Sequence, residues 1–178
     1  MACDVTRVAS VFFLGGAAEA NYSEIGQTTA HHNNTHDGGA QEEVHQGVVY
    51  SMQRLADLCT RMKATVDVTG QNLLDTGVVL AGSDCSVGLT HSVSRQPYMI
   101  IGKARDTLKG KYHYQAVPRM TEDEGSYNAA GNTSDCLLTV LKAFNPAATS
   151  VGDMTPHGLQ GWYGTNNPPN QGVSGSDK

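Results

Sequence analysis

The chain has 178 residues and a formal net charge of -5, from 12 basic and 17 acidic side chains, with no basic run. That length suits one domain with its own core, and the charge balance gives no electrostatic footprint for nucleic acid or an anionic membrane surface. Twenty glycines and only 16% charged residues predict many turns and a surface carried by Asn, Ser, Thr and Gln, a style that often accompanies exported proteins.

Cys3, Cys59, Cys85 and Cys136 are widely spaced and form no CxxC pair. The common zinc and thioredoxin-type signatures are therefore missing, and three disulfide pairings stay open. The longest early apolar run, Val8 to Leu14, falls short of the roughly 20 residues needed to span a bilayer. Met1 to Ala20 lacks a basic n-region followed by a cleavage site, so no signal peptide is expected within it.

In chain order, Val5 to Leu14 is β-branched and aromatic and stops at Gly15-Gly16, which predicts a buried strand. Residues 17 to 30 read as loop. His31, His32, His36 and Asp37 then lie within seven residues. His32 and His36 share a face if the segment is helical, and neutral imidazoles at that spacing suit zinc or a similar ion. A polar loop whose Asp37 caps the next helix is the alternative.

From Ala40 to Ala64, Val44, Val48, Met52, Leu55, Cys59 and Met62 recur every three or four residues, predicting an amphipathic helix. Glu42 and Glu43 near its start, and Arg61 and Lys63 near its end, suit the helix macrodipole. Asp67 to Leu74 leads back to a sheet, with buried strands predicted at Thr76 to Ala81 and Tyr98 to Ile101.

Between those strands, a loop opens with Gly82-Ser83-Asp84 and passes His91. A carboxylate and an imidazole beyond a strand's carboxyl end stand where open α/β sheets build their sites. A parallel neighbour nevertheless needs a helix-length crossover, and this loop shows no helical pattern.

Leu108 to Tyr114 alternates enough for an edge strand, and Pro118 to Gly131 is an acidic, polar connection. Asn132 to Asp135 offers caps for a short buried helix over Cys136 to Phe144, stopped by Asn145-Pro146. Thr165 to Lys178 has the composition of a disordered tail.

Taken in order, CDVTRVAS, AHHNNTHDGG, QEEVHQGVVYSMQRLADLCTRMKAT, NLLDTGVVLAGSDCSVGLTHS, PYMIIGKARDTLKGKYHYQ and NTSDCLLTVLKAFN followed by VGD resemble the C-terminal part of domain-of-unknown-function family 1552, a family of exported bacterial proteins. The matching pieces cover about residues 3 to 153. The resemblance implies a longer parent chain with a twin-arginine signal and a periplasmic or otherwise exported location. It also implies an α/β fold like that of the alkaline phosphatase and sulfatase superfamily, a mostly parallel sheet flanked by helices, with residues 1–164 as one domain or the C-terminal portion of a larger one.

Carried over residue by residue, the resemblance offers His32, His36, Asp84 and His91 as ligands of a divalent ion such as zinc, acting on a phosphate or sulfate ester. Two departures weigh against turnover. The superfamily's nucleophile comes from an N-terminal part that this chain lacks, and its aspartate-histidine pair reads here as Asp84-Cys85. Three functions therefore compete: half of an exported metal-dependent hydrolase, a catalytically silent binding or envelope-associated module, and a free-standing small α/β protein.

Overall fold

The computed structural model describes residues 2–3, 5–13, 20–91, 96–112 and 133–151. Its longest element is α2, Gln41–Ala64, and 24 residues at the helical rise give a rod about 36 Å long. The short helix α1, His31–His36, packs on it. The joint is built around Tyr22, whose ring meets His31 and Tyr50 edge-on at 5.2 and 5.7 Å, while its hydroxyl lies 2.9 Å from Ser51 Oγ.

Gly47 makes that approach possible: a Cβ there would stand 2.6 Å from the Tyr22 ring. A glycine in mid-helix costs roughly 0.5–1 kcal/mol against alanine, and here the aromatic contact holds the position. Consequently the buried face of α2 is centred on Gly47 and Leu55, and Val48 and Met52 of the predicted stripe turn out to be exposed.

Beyond α2, a Val66–Asn72 bridge closes a turn containing Gly70 in the left-handed region. Asn72 caps α3, Leu73–Thr76, its Oδ1 accepting from the amides of Leu74 and Asp75 at 3.1 and 2.9 Å. β1, Val78–Gly82, pairs with β2, Tyr98–Gly102, and Leu80 stands opposite Ile100. At the end of the ladder the Tyr98 ring covers Gly82, where a Cβ would stand 2.6 Å from it.

After β2 the chain folds back over α3 through bonds from Lys103 N to Leu74 O (2.9 Å), Ala104 N to Gly77 O (3.3 Å) and Arg105 N to Asp75 O (2.7 Å). Ala104, Arg105 and Asp106 occupy the left-handed region in succession, which costs L-residues roughly 1–2 kcal/mol each. α4, Thr133–Phe144, buries none of its residues.

Several expectations need correction. The sheet is two-stranded and antiparallel, not a mostly parallel sheet flanked by helices in the alkaline phosphatase manner. The connection between β1 and β2 carries no helix among its described residues, so nothing returns the chain to the start of a parallel neighbour, and β2 runs back beside β1 as the second arm of a hairpin.

The strand expected at Val5 to Leu14 does not form over the described residues 5–13, where Val5, Val8 and Phe12 are 88%, 83% and 84% exposed. β-branched and aromatic residues favour strand only where a neighbour takes their ladder bonds. Residues Leu108 to Tyr112 likewise form no strand, and Tyr112 is exposed. The helix expected over Cys136 to Phe144 is present but begins earlier, at Thr133, and is half-exposed instead of buried. His113, Tyr114, the 118–131 connection and the 165–178 tail lie outside the described residues.

Among the described residues, no helix is long and apolar enough to cross a membrane. All four cysteines are free thiols, so none of the three pairings is formed.

Candidate metal centre

α1 sets the first half of the site. Its buried Asn34 and the buried Ala30 before it anchor one side of the helix, and His31 turns inward against Tyr22 and Gly47. Burial, with the neighbouring charge of His32 adding to it, holds the His31 imidazole towards its neutral form. The opposite side carries His32 and His36. One helical turn apart, their rings meet edge-on with centroids 4.7 Å from each other, the i, i+4 arrangement by which helices present two imidazoles to one ion.

His91 completes the group from the loop between β1 and β2. Its ring lies 4.8 Å from that of His36 and 6.1 Å from that of His32, nearly parallel to the latter. One nitrogen from each of His32, His36 and His91 falls within 4.8 Å of the others. The Nε2 atoms of His36 and His91 are 3.1 Å apart, so without an ion one of the two carries the proton that the other accepts.

Zinc bonds to imidazole of about 2.0–2.1 Å in a tetrahedral site place ligand nitrogens about 3.3 Å from one another. The His36–His91 pair already meets that spacing. With all three nitrogens within 4.8 Å of one another, His32 needs a movement of at most about 1.5 Å, within the reach of its own rotamer adjustments.

Two residues that spacing in the sequence does not single out hold His91 in place. Gly88 lies against Thr35, between the two ligand histidines of α1, and a Cβ on it would stand 2.5 Å from Thr35 Cβ and 2.8 Å from Oγ1. Thr35 is itself fixed, its hydroxyl donating to the His32 carbonyl at 2.7 Å. From Gly88 the chain turns, His91 N donating to Gly88 O at 3.2 Å, and His91 takes a left-handed φ of 53°. Only a contact between two distant segments reveals these roles.

Asp84, the fourth residue of the expected set, lies outside this group. It sits two residues beyond β1, at the neck of the loop, where Gln96 Nε2 donates to its carbonyl and its carboxylate is exposed, 3.5 Å from Ser83 Oγ. Cys85 does not join the imidazoles either. Burial, and then the adjacent Asp84 charge, push its thiol upwards, away from the thiolate that metal ligation requires.

Asp37 does not cap α2, which has no side-chain cap. Its Oδ1 instead accepts from Gly39 N at 2.8 Å and shapes the turn between α1 and α2. Comparison of the chain with protein-family models, with curated proteins and with solved structures gave no match.

Proposed function

We propose that this chain binds a divalent transition-metal ion of the zinc class through the imidazoles of His32, His36 and His91. The observation that carries the reading is the approach of three ring nitrogens, from a helix and from a distant loop, to within 4.8 Å of one another. An all-imidazole set selects zinc and its neighbours over magnesium and calcium, which favour oxygen ligands.

A second reading extends the first. Three protein ligands leave a coordination position open, the count found in catalytic rather than closed structural zinc sites. Held by His32, His36 and His91, an ion there would supply the water activation and ester polarisation that a phosphate or sulfate ester hydrolase uses.

This chain's own residues contribute binding and orientation. α1 fixes two imidazoles one turn apart and the Gly88–Thr35 contact brings in the third. The hydroxyls of Thr35 and Ser83 are not poised as nucleophiles, since that of Thr35 is committed to the His32 carbonyl and that of Ser83 faces Asp84. Turnover on this reading needs a nucleophile other than these two side chains; without one, the chain is a binding module.

The test is zinc titration of the metal-free chain by calorimetry, with metal content measured after dialysis. One ion per chain, lost in His36→Ala, bound more weakly in His91→Ala and retained in Asp84→Ala, is the expected result. No uptake of zinc, cobalt or nickel refutes the assignment. Hydrolysis of p-nitrophenyl phosphate and p-nitrophenyl sulfate by the loaded chain separates the hydrolytic reading from silent binding.

A further inference from the structure

Resting on the metal-binding reading above, we infer that the ion is also the clasp that closes the fold, tying the β1–β2 loop to α1. The packing of the described elements forms an open series: α1 lies on α2, α2 on α3, and α3 on both strands. Among the described residues the loop meets α1 through Gly88 on Thr35 and through His91 on His32 and His36. Those two histidines stand 55 residues apart in sequence, and links that close long stretches of chain remove the most freedom from the unfolded ensemble.

Apolar burial does not hold the loop there. Val87 and Leu89 are exposed, as are Ser83, Asp84 and His91 itself. Among the described residues the buried apolar ones are Tyr22, Ala30, Ala40, Leu55 and Ala104, none of them in the loop. His91 also holds a left-handed backbone, a conformation that persists in a non-glycine residue only where its surroundings over-determine it.

The hydrogen bond between the exposed imidazoles of His36 and His91 is a weak fastening in water, whereas coordination bonds to one shared ion would join all three rings at once. In small domains with modest cores, a bound ion supplies folding free energy directly. The α1 pair alone would hold an ion without ordering the loop. It is His91 that converts binding into closure.

The experiment is amide hydrogen exchange of the full chain, first stripped with a chelator and then with zinc added, using calcium as the control ion. Zinc is expected to slow exchange over residues 83–91 and 31–36 at least tenfold and to change residues 50–60 of α2 far less, with calcium changing neither. In His91→Ala the slowing over 83–91 is expected to vanish while weaker zinc binding through His32 and His36 persists. Zinc uptake by the unaltered chain without slower exchange over 83–91 overturns the clasp and leaves the metal site standing. Absence of uptake removes both, and slowing over 83–91 that survives in His91→Ala overturns the role given to that residue.

Discussion

Replacing Gly88 with alanine tests how the third imidazole is delivered. The φ of Gly88 is not in the left-handed region, so the consequence is steric: the new methyl would stand 2.5 Å from Thr35 Cβ, 2.8 Å from its Oγ1 and 3.0 Å from its Cγ2. Thr35 has little room to yield, because it is β-branched, which restricts χ1, and its hydroxyl is bonded to the His32 carbonyl.

The loop must therefore back away by about 1 Å to reach an ordinary contact of about 3.5–4.0 Å. That shift carries His91 away from His36, to which its Nε2 is now 3.1 Å distant. Overpacking of this kind costs roughly 1–3 kcal/mol. Charged wholly to the closed arrangement, it weakens zinc binding about 5- to 150-fold. Calorimetric titration reads this directly, with far-UV circular dichroism to show that α2 is intact. Zinc affinity equal to that of the unaltered chain would refute the positioning role of Gly88.

Gly47→Ala is expected to destabilise the fold by about 1 kcal/mol, since overpacking against Tyr22 outweighs the gain in helix propensity; in a Tyr22→Ala background the same change becomes stabilising, read from urea midpoints. Arg105→Gly should stabilise by about 0.5–1 kcal/mol, the relief of a left-handed residue less the flexibility glycine adds to the unfolded chain, and an unchanged midpoint would argue against the left-handed turn.

Hydrogen bonding to Lys103 holds the Asp75 carboxyl below its ordinary range, and the same partner raises the Lys103 ammonium. The Asp75 contribution is thus present above the unfolded carboxylate pKa and lost as pH falls through the folded one. That of Lys103 is present below its unfolded pKa and lost as pH rises through the folded one. Asp75→Asn should flatten both limbs of a stability–pH curve. It leaves part of the acid limb in place, because Asp67 is lowered separately by its bond from the Thr69 hydroxyl.

Local signals were legible in the sequence, and long-range pairing was not. Periodicity located α2 to within one residue of its start, Ala40 against the observed Gln41, because a 3.6-residue repeat is a property of the segment itself. Gly47 nonetheless rotated the buried face away from Val48 and Met52, through a contact with Tyr22 that no helical repeat encodes.

Both strand segments were recognisable, yet their relative direction depends on what connects them. The sign was present, a loop without a helical pattern, and it favoured the antiparallel hairpin that forms. The exposed Val5 to Phe13 segment shows the converse, strong β composition without a ladder. Of the candidate site, the i, i+4 histidines were visible as a pair, and His91 was named with them on resemblance alone. Its approach depends on Gly88 and Thr35, a fit of shapes between distant parts of the chain.

The hairpin also acts as a spacer between two kinds of charge. The loop that carries His91 leaves the ladder at its Gly82–Tyr98 end, whereas Lys103 and Arg105 follow its Val78–Gly102 end, pinned through their amide bonds to Leu74 and Asp75. Five residue pairs span four strand rises and set the two ends about 14 Å apart, well over one Debye length at physiological ionic strength. On the metal-binding reading, and with Lys103 already paired to Asp75 at 2.8 Å, an anionic ligand drawn to the ion should owe little of its affinity to those cations.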